Sequence, residues 1–153
     1  MTIIQLHNLS NKKKKIFTDI IYQNFIKIAP IEKLKHNKNE IYNLVNKQNY
    51  YFFVYVIDNK ILGYVIGEIM SIDKDQIIYV TYIYISPNHR KKGIGHQLMN
   101  KVLEYGSSKD CYKIMLTCDT EDKKVYNWYL KMGFMPDMNF RTYDRYDILS
   151  RNV

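Results

Sequence analysis

The residues from Ile83 to His96 read Ile83-Tyr84-Ile85-Ser86-Pro87-Asn88-His89-Arg90-Lys91-Lys92-Gly93-Ile94-Gly95-His96. A strand-like run passes through a proline turn and three consecutive cations into a helical pattern that opens with two glycines. Such a junction turns several backbone N–H groups and the positive end of a helix toward one point, which is what a phosphate or diphosphate requires. Gly93 and Gly95 suit the task, because a residue without Cβ takes unusual backbone angles and lets a ligand approach closely. Arg90, Lys91 and Lys92 add charge-assisted contacts around the cradle. Taken alone, the same pattern also describes a basic helix start with no ligand.

It does not stand alone. A second helical segment, Trp128-Tyr129-Leu130-Lys131-Met132-Gly133-Phe134, follows at a fixed distance. Arg90-Lys91-Lys92-Gly93-Ile94-Gly95 resembles the Arg/Gln-x-x-Gly-x-Gly/Ala signature of the GNAT superfamily of N-acetyltransferases, and the second segment resembles its Phe-Tyr-x-x-x-Gly-Phe motif. The resemblance covers roughly Gln76 to Phe134. It implies an α+β fold with a mostly antiparallel, splayed sheet flanked by helices, and acetyl-CoA as cosubstrate without a metal. It also implies direct attack of a neutral amine on the thioester in a ternary complex.

By the same resemblance, Ile83, Tyr84 and Ile85 would border the pantetheine arm, while Arg90 to His96 would hold the diphosphate. A backbone N–H between Tyr82 and Tyr84 would meet the developing oxyanion, and Tyr129 would protonate the leaving thiolate. Asp122 falls where the family often bonds its cofactor, yet an aspartate there also serves as a helix N-cap. Lys131 falls where a cation toward the nucleotide phosphate is common. For the base, Glu68 and Tyr82 are the best placed by strand order; an ordered water is the alternative, and Glu68 reads rather as a surface residue on a half-exposed strand. His89 and His96 flank the loop at the wrong end for the acetyl group.

The segment Cys111-Tyr112-Lys113-Ile114-Met115-Leu116-Thr117-Cys118-Asp119 resembles a strand of glucosamine-6-phosphate N-acetyltransferases. That points to glucosamine 6-phosphate as acceptor and to a homodimer paired through C-terminal strands. Arg141 and Arg145 could then meet the acceptor phosphate, or be solvated residues of an edge strand. The chain departs from that group at Thr81-Tyr82, where the group carries Glu-Asp, and in the longer segment from Glu121 to Tyr129. Both departures fall where the acceptor should bind. Another primary amine, such as a polyamine or a protein N-terminus, is the alternative. A basic nucleic-acid-binding module is the competing class, although it leaves the Gly93/Gly95 loop without a task.

Around these segments the periodicities give one domain over residues 1–153, in the order βααβββαβαββ. Thr2 to Leu6 opens a sheet. Ser10 caps a helix whose apolar face is Ile16, Phe17, Ile20, Ile21, Phe25 and Ile28, ending at Pro30. A short helix spans Asn39 to Lys47. Three antiparallel strands follow at Tyr50 to Ile57, Ile61 to Met70 and Gln76 to Ile85. A helix carrying Ile94, Leu98, Val102 and Leu103 stops at Gly106-Ser107-Ser108. Cys111 to Cys118 is a buried strand, Asp122 to Met132 a helix, and two strands lie around Phe134 and from Arg141 to Leu149.

The 153 residues are 46% hydrophobic and 25% charged, an ordinary globular composition with a single core. A formal charge of +8 attracts anionic partners without choosing among them. Cys111 and Cys118 lie too far apart on one extended strand to bridge each other, so they read as buried thiols of a reducing, cytoplasmic setting. No run approaches the roughly 18 apolar residues of a membrane span, and the N-terminus lacks the order of a signal peptide. The Lys12 to Lys15 run reads as a solvated helix end.

Overall fold

The computed structural model describes the backbone of residues 2–28, 38–140 and 144–153, and the side chains of all of these except 24–28. Seven strands form one sheet: β1 (Thr2–Gln5), β2 (Tyr50–Ile57), β3 (Lys60–Ile72), β4 (Asp75–Ile85), β5 (Cys111–Asp119), β6 (Met135–Pro136) and β7 (Tyr146–Asn152). Their order is β1-β2-β3-β4-β5-β7-β6, antiparallel throughout except for the β4–β5 pair. Helices α1 (Asn11–Ile28) and α2 (Lys38–Asn46) precede β2, α3 (Ile94–Ser108) connects the parallel strands β4 and β5, and α4 (Lys123–Lys131) follows β5. This is the splayed α+β architecture implied by the two motifs.

Alternation along the strands splits the apolar residues into two layers. One face carries Tyr51, Phe53, Val65, Ile78, Val80, Ile114, Leu116 and Cys118, packed on Leu98, Met99 and Val102 of α3 and on Tyr129 of α4. The other face carries Phe52, Val54, Tyr64 and Ile66, covered by Ile21 of α1 and by Ile41 and Val45 of α2. The α1 stripe is rotated from the face read in the sequence. Ile21 is fully buried, but Ile16 and Ile20 are exposed, while Thr18 is buried in their stead. Its hydroxyl donates to the Lys14 carbonyl at 2.7 Å, which lets a polar residue face the core. Phe25 and Ile28 lie outside the side chains described.

Helix α3 ends at Ser108, within the Gly106-Ser107-Ser108 stop read in the sequence, and Gly106 itself is still helical. A Cβ there would sit 3.0 Å from Ile78 Cγ2, so the glycine seats the helix against β4. The last strand begins at Tyr146 rather than Arg141, which lies outside the described residues. Ser10 does cap α1, accepting from the Lys13 N–H at 3.4 Å. Both cysteines are free and buried.

The β3–β4 ladder carries one defect. Ile66 faces Tyr82 and Gly67 faces Val80, so Thr81 is an extra residue bulged out of β4. Gly67 lies beneath this bulge, and the Tyr51 hydroxyl on β2 reaches across it to donate to the Tyr79 carbonyl at 2.8 Å. A Cβ on Gly67 would stand 1.8 Å from that carbonyl oxygen and 2.4 Å from the Tyr51 hydroxyl. Gly67→Ala is therefore expected to cost about 3 kcal/mol by overpacking, read as a lower denaturant midpoint.

At the other end of the sheet Asp137 is buried, accepting from Lys113 Nζ at 2.6 Å, from Ser150 Oγ at 2.7 Å and from the Asn139 N–H at 3.1 Å. Burial alone would raise its carboxyl pKa, but the bonds from Lys113 and Ser150, with the lysine charge, hold it below the ordinary value. A depressed native pKa contributes stability above the unfolded value, about 3.9, and that contribution is lost as pH falls through the native one. Asp137→Asn should thus lower the melting temperature at neutral pH, with the gap to the wild type narrowing below about pH 4.

Candidate functional site

β4 keeps β3 as a partner along its length, but its parallel pairing with β5 ends at Val80 opposite Leu116. Beyond that rung the strands diverge, and residues 81–85 present an edge to a fork. Which groups face the fork follows from alternation: the Ser86 N–H donates to the Leu62 carbonyl on β3 at 2.8 Å, so Tyr84 and Tyr82 share that direction. Ile83 and Ile85 then aim their backbone groups into the fork. The Ile85 carbonyl shows this, because it accepts from Arg90 Nε at 3.0 Å.

The chain turns at the fork's outer end through a short 3-10 segment, Pro87–His89, before α3 begins. Lys91 and Gly93 both take left-handed backbone angles, with φ of 62° and 82°. Gly93 occupies the N-cap position of α3, and among the described residues no side-chain cap bond is made there. A Cβ on Gly93 would meet nothing within 4 Å of the described residues, so the space beside the N-cap is open. Gly95 has a different reason to be glycine. It is helical and buried, and a Cβ there would lie 2.6 Å from Trp128 Cζ2 of α4. The His96 ring meets the same Trp128 edge-on at 5.7 Å. Lys91 and Lys92 are exposed, whereas Arg90 is spent partly on the Ile85 carbonyl and on the Tyr84 ring.

Tyr129 comes up from α4 on the face shared with Cys118, beside the fork. Its ring is held by Trp128 at 5.1 Å and Phe134 at 5.7 Å, and it is 7% exposed. Burial, reinforced by Cys118 and Asp122, pushes its phenol well above the ordinary range, so it keeps its proton at neutral pH. Asp122 caps α4, accepting from the Val125 N–H at 3.3 Å. Lys131 is exposed at the far end of that helix.

The acceptor-side candidates are not all brought together. Thr81 is the exposed bulge residue, and Tyr82 is half-buried beside it. Glu68 faces Tyr79 in register but is hydrogen-bonded to Tyr50 on β2. Arg145 is bridged to Asp119 at 3.1 Å and Glu121 at 2.8 Å, and its carbonyl accepts from Thr120. The sequence reading missed Tyr79 and Thr117, whose hydroxyls meet at 2.7 Å beside the last β4–β5 rung. Only the register places them together, and register is not legible in either residue.

An open fork lined by backbone groups, ending at a helix start without a side-chain cap and with open space beside Gly93, fits a long ligand with an anionic tail. Among the described residues no group of three His, Cys, Asp or Glu could hold a metal, and no helix is long and apolar enough to cross a membrane.

Comparison with known proteins agrees with this geometry. Residues 17–134 match the acetyltransferase (GNAT) family. An uncharacterized N-acetyltransferase of Methanocaldococcus jannaschii is 30% identical over 86 residues, 54% of this chain and 38% of that protein. The thialysine N-epsilon-acetyltransferase of Mus musculus is 34% identical over 56 residues, 37% of this chain and 33% of that protein. The chain thus matches about a third of these relatives' own lengths. NAA60 of Arabidopsis thaliana, solved with acetyl-CoA, superimposes with a TM-score of 0.73 at 16% identity, covering 99% of both chains. With most of its length matched by the family model, this chain belongs to the acetyltransferase (GNAT) family of acetyl-CoA-dependent acyltransferases.

Proposed function

We propose that this protein transfers the acetyl group of acetyl-CoA to a primary amine by direct attack in a ternary complex. The observation that carries the reading is the β4–β5 fork, which runs from the buried Tyr129 to the uncapped start of α3. Acetyl-CoA supplies an activated acetyl thioester. The first-turn amides after Gly93, with Ile94, Gly95 and His96, hold its diphosphate, and Lys91 and Lys92 add charge. Arg90 fixes the loop to the end of β4. Ile83 and Ile85 offer their backbone groups to the pantetheine arm as an added strand would. The backbone N–H groups just past the Thr81 bulge are the donors for the developing oxyanion. Tyr129 donates its proton to the leaving sulfur. Asp122 acts on this site by setting the start of α4.

Within that reading the Cys111 to Asp119 strand makes glucosamine 6-phosphate the first acceptor to assay. Arg145, tied to two carboxylates, is not the partner its phosphate would need, so the acceptor panel must extend further. Polyamines, a short peptide and thialysine, named for the mouse relative, complete it. A nucleic-acid module of the same charge would need no acetyl-CoA site.

Saturating acetyl-CoA, at about 100 times its Kd, should stabilise the fold by about 2.7 kcal/mol and raise the melting temperature by several degrees. Gly93→Ala places a methyl group in the open space and should remove most of that shift while the protein still folds. Absence of any shift in the wild type would refute the cofactor site.

Tyr129→Phe should lower kcat by about 100-fold or more in a thiol-release assay, with KM for acetyl-CoA little changed. Because burial raises the phenol's pKa, wild-type kcat should show no loss from Tyr129 deprotonation between about pH 7 and 10.

A further inference from the structure

The outer face of α1 carries charge and apolar surface that the acetyl-transfer site does not use. Four consecutive lysines, Lys12 to Lys15, fill its first turns, and no acidic residue stands in the first turn. Cations at that end of a helix oppose the positive end of its dipole, so the run costs helix stability rather than adding to it. Two of the four reach toward α2. Lys14 Nζ donates to Asn46 Oδ1 at 3.0 Å, and Lys15 Nζ lies 5.9 Å from the centre of the Tyr42 ring. Lys12 and Lys13 are exposed, and their ammonium groups meet no partner among the described residues.

Ile16 and Ile20 lie one and two turns further along the same outward stripe. They are 51% and 36% exposed, because the rotation of α1 gives Thr18 and Ile21 to the core in their place. The outer face thus sets two large apolar side chains beside two unpaired cations. Around it the described parts of α1 and α2, with the turn after α2, hold Lys12, Lys13, Lys14, Lys15, Lys38 and Lys47 against only Asp19 and Glu40. Asp19 is already bound by Lys38 at 2.6 Å.

We propose that this face of α1 docks on an anionic phospholipid surface, with Ile16 and Ile20 set among the headgroups and Lys12 and Lys13 against their negative charge. A basic helix with apolar residues on its exposed stripe suits the plane of a membrane interface, whereas a nucleic acid has no use for the isoleucines. Every cation of this surface is a lysine. Arginine's planar fork suits recognition of single phosphates, while a lysine is a mobile point charge fit for a diffuse anionic layer. The tyrosines that could stack bases, Tyr42 and Tyr50, already carry the Lys15 and Lys47 ammonium groups over their rings. A second copy of the chain is the wrong occupant, because this face laid on itself brings like charges together. The proposal is independent of acetyl transfer, since none of these residues belongs to the site described above.

The test sediments the full chain with vesicles of phosphatidylcholine alone and of phosphatidylcholine with phosphatidylserine. Partition to the mixed vesicles should be at least about tenfold tighter and should weaken as salt rises. Two double variants, Ile16→Ser with Ile20→Ser and Lys12→Gln with Lys13→Gln, alter only exposed side chains, so both should fold and keep wild-type turnover and the melting shift given by coenzyme A. Each should weaken partition to the mixed vesicles by about fivefold or more. The lysine variant should also flatten the salt dependence, which the isoleucine variant should keep. No binding of wild type to the mixed vesicles, or partition unchanged in either variant, would overturn the proposal. So would tighter binding of a single-stranded oligouridylate that the lysine variant loses and the isoleucine variant keeps, since the lysines would then serve nucleic acid.

Discussion

Buried or half-buried backbone groups must find partners, and β4 runs out of them at Val80. Up to that rung β3 and β5 satisfy both edges of the strand. Past it, among the described residues, the edge facing β5 is met by the Arg90 side chain at its tip. The fork is thus a stretch of sheet with one strand missing, and what completes it must be extended, hydrogen-bonding and long enough to reach the α3 amides. The bulge at Thr81 sharpens the divergence by turning β4 just where the pairing fails.

What keeps the fork open is close packing around small residues, joined by one hydrogen bond from Tyr51 to the Tyr79 carbonyl. Gly67 and Tyr51 lock the bulge from below, and Gly106 seats α3 against Ile78 of β4. Gly95 allows Trp128 to close the space between α3 and α4. The two motif segments are far apart in sequence, yet they meet at this contact. The acidic-to-basic turn between β5 and α4 is similarly tied: Asp119 accepts from the Glu121 N–H at 2.9 Å and also pairs with Arg145.

Much of this is legible in the sequence alone. Strand and helix order, the β4-to-α3 junction and the α4 tyrosine all follow from local patterns of residue type and period. The packing role of Gly106 and the rotation of α1 are not, because a glycine that packs and a glycine that stops look alike in sequence. Thr18 faces the core only because its hydroxyl finds the Lys14 carbonyl, which no apolar count anticipates. The acceptor side is the least legible. Glu68 and Arg145 are candidates by type, but their partners Tyr50, Asp119 and Glu121 come from other strands and turns. Tyr79 and Thr117 meet across a parallel register that a single sequence does not encode locally.

Trp128 is the chain's single tryptophan, and it stands against Gly95 and the ring of His96 at the first turn of α3. Indole emission responds to nearby charge and water. The protein therefore carries an intrinsic optical gauge at the very turn that would grip an anion, readable without label or mutation.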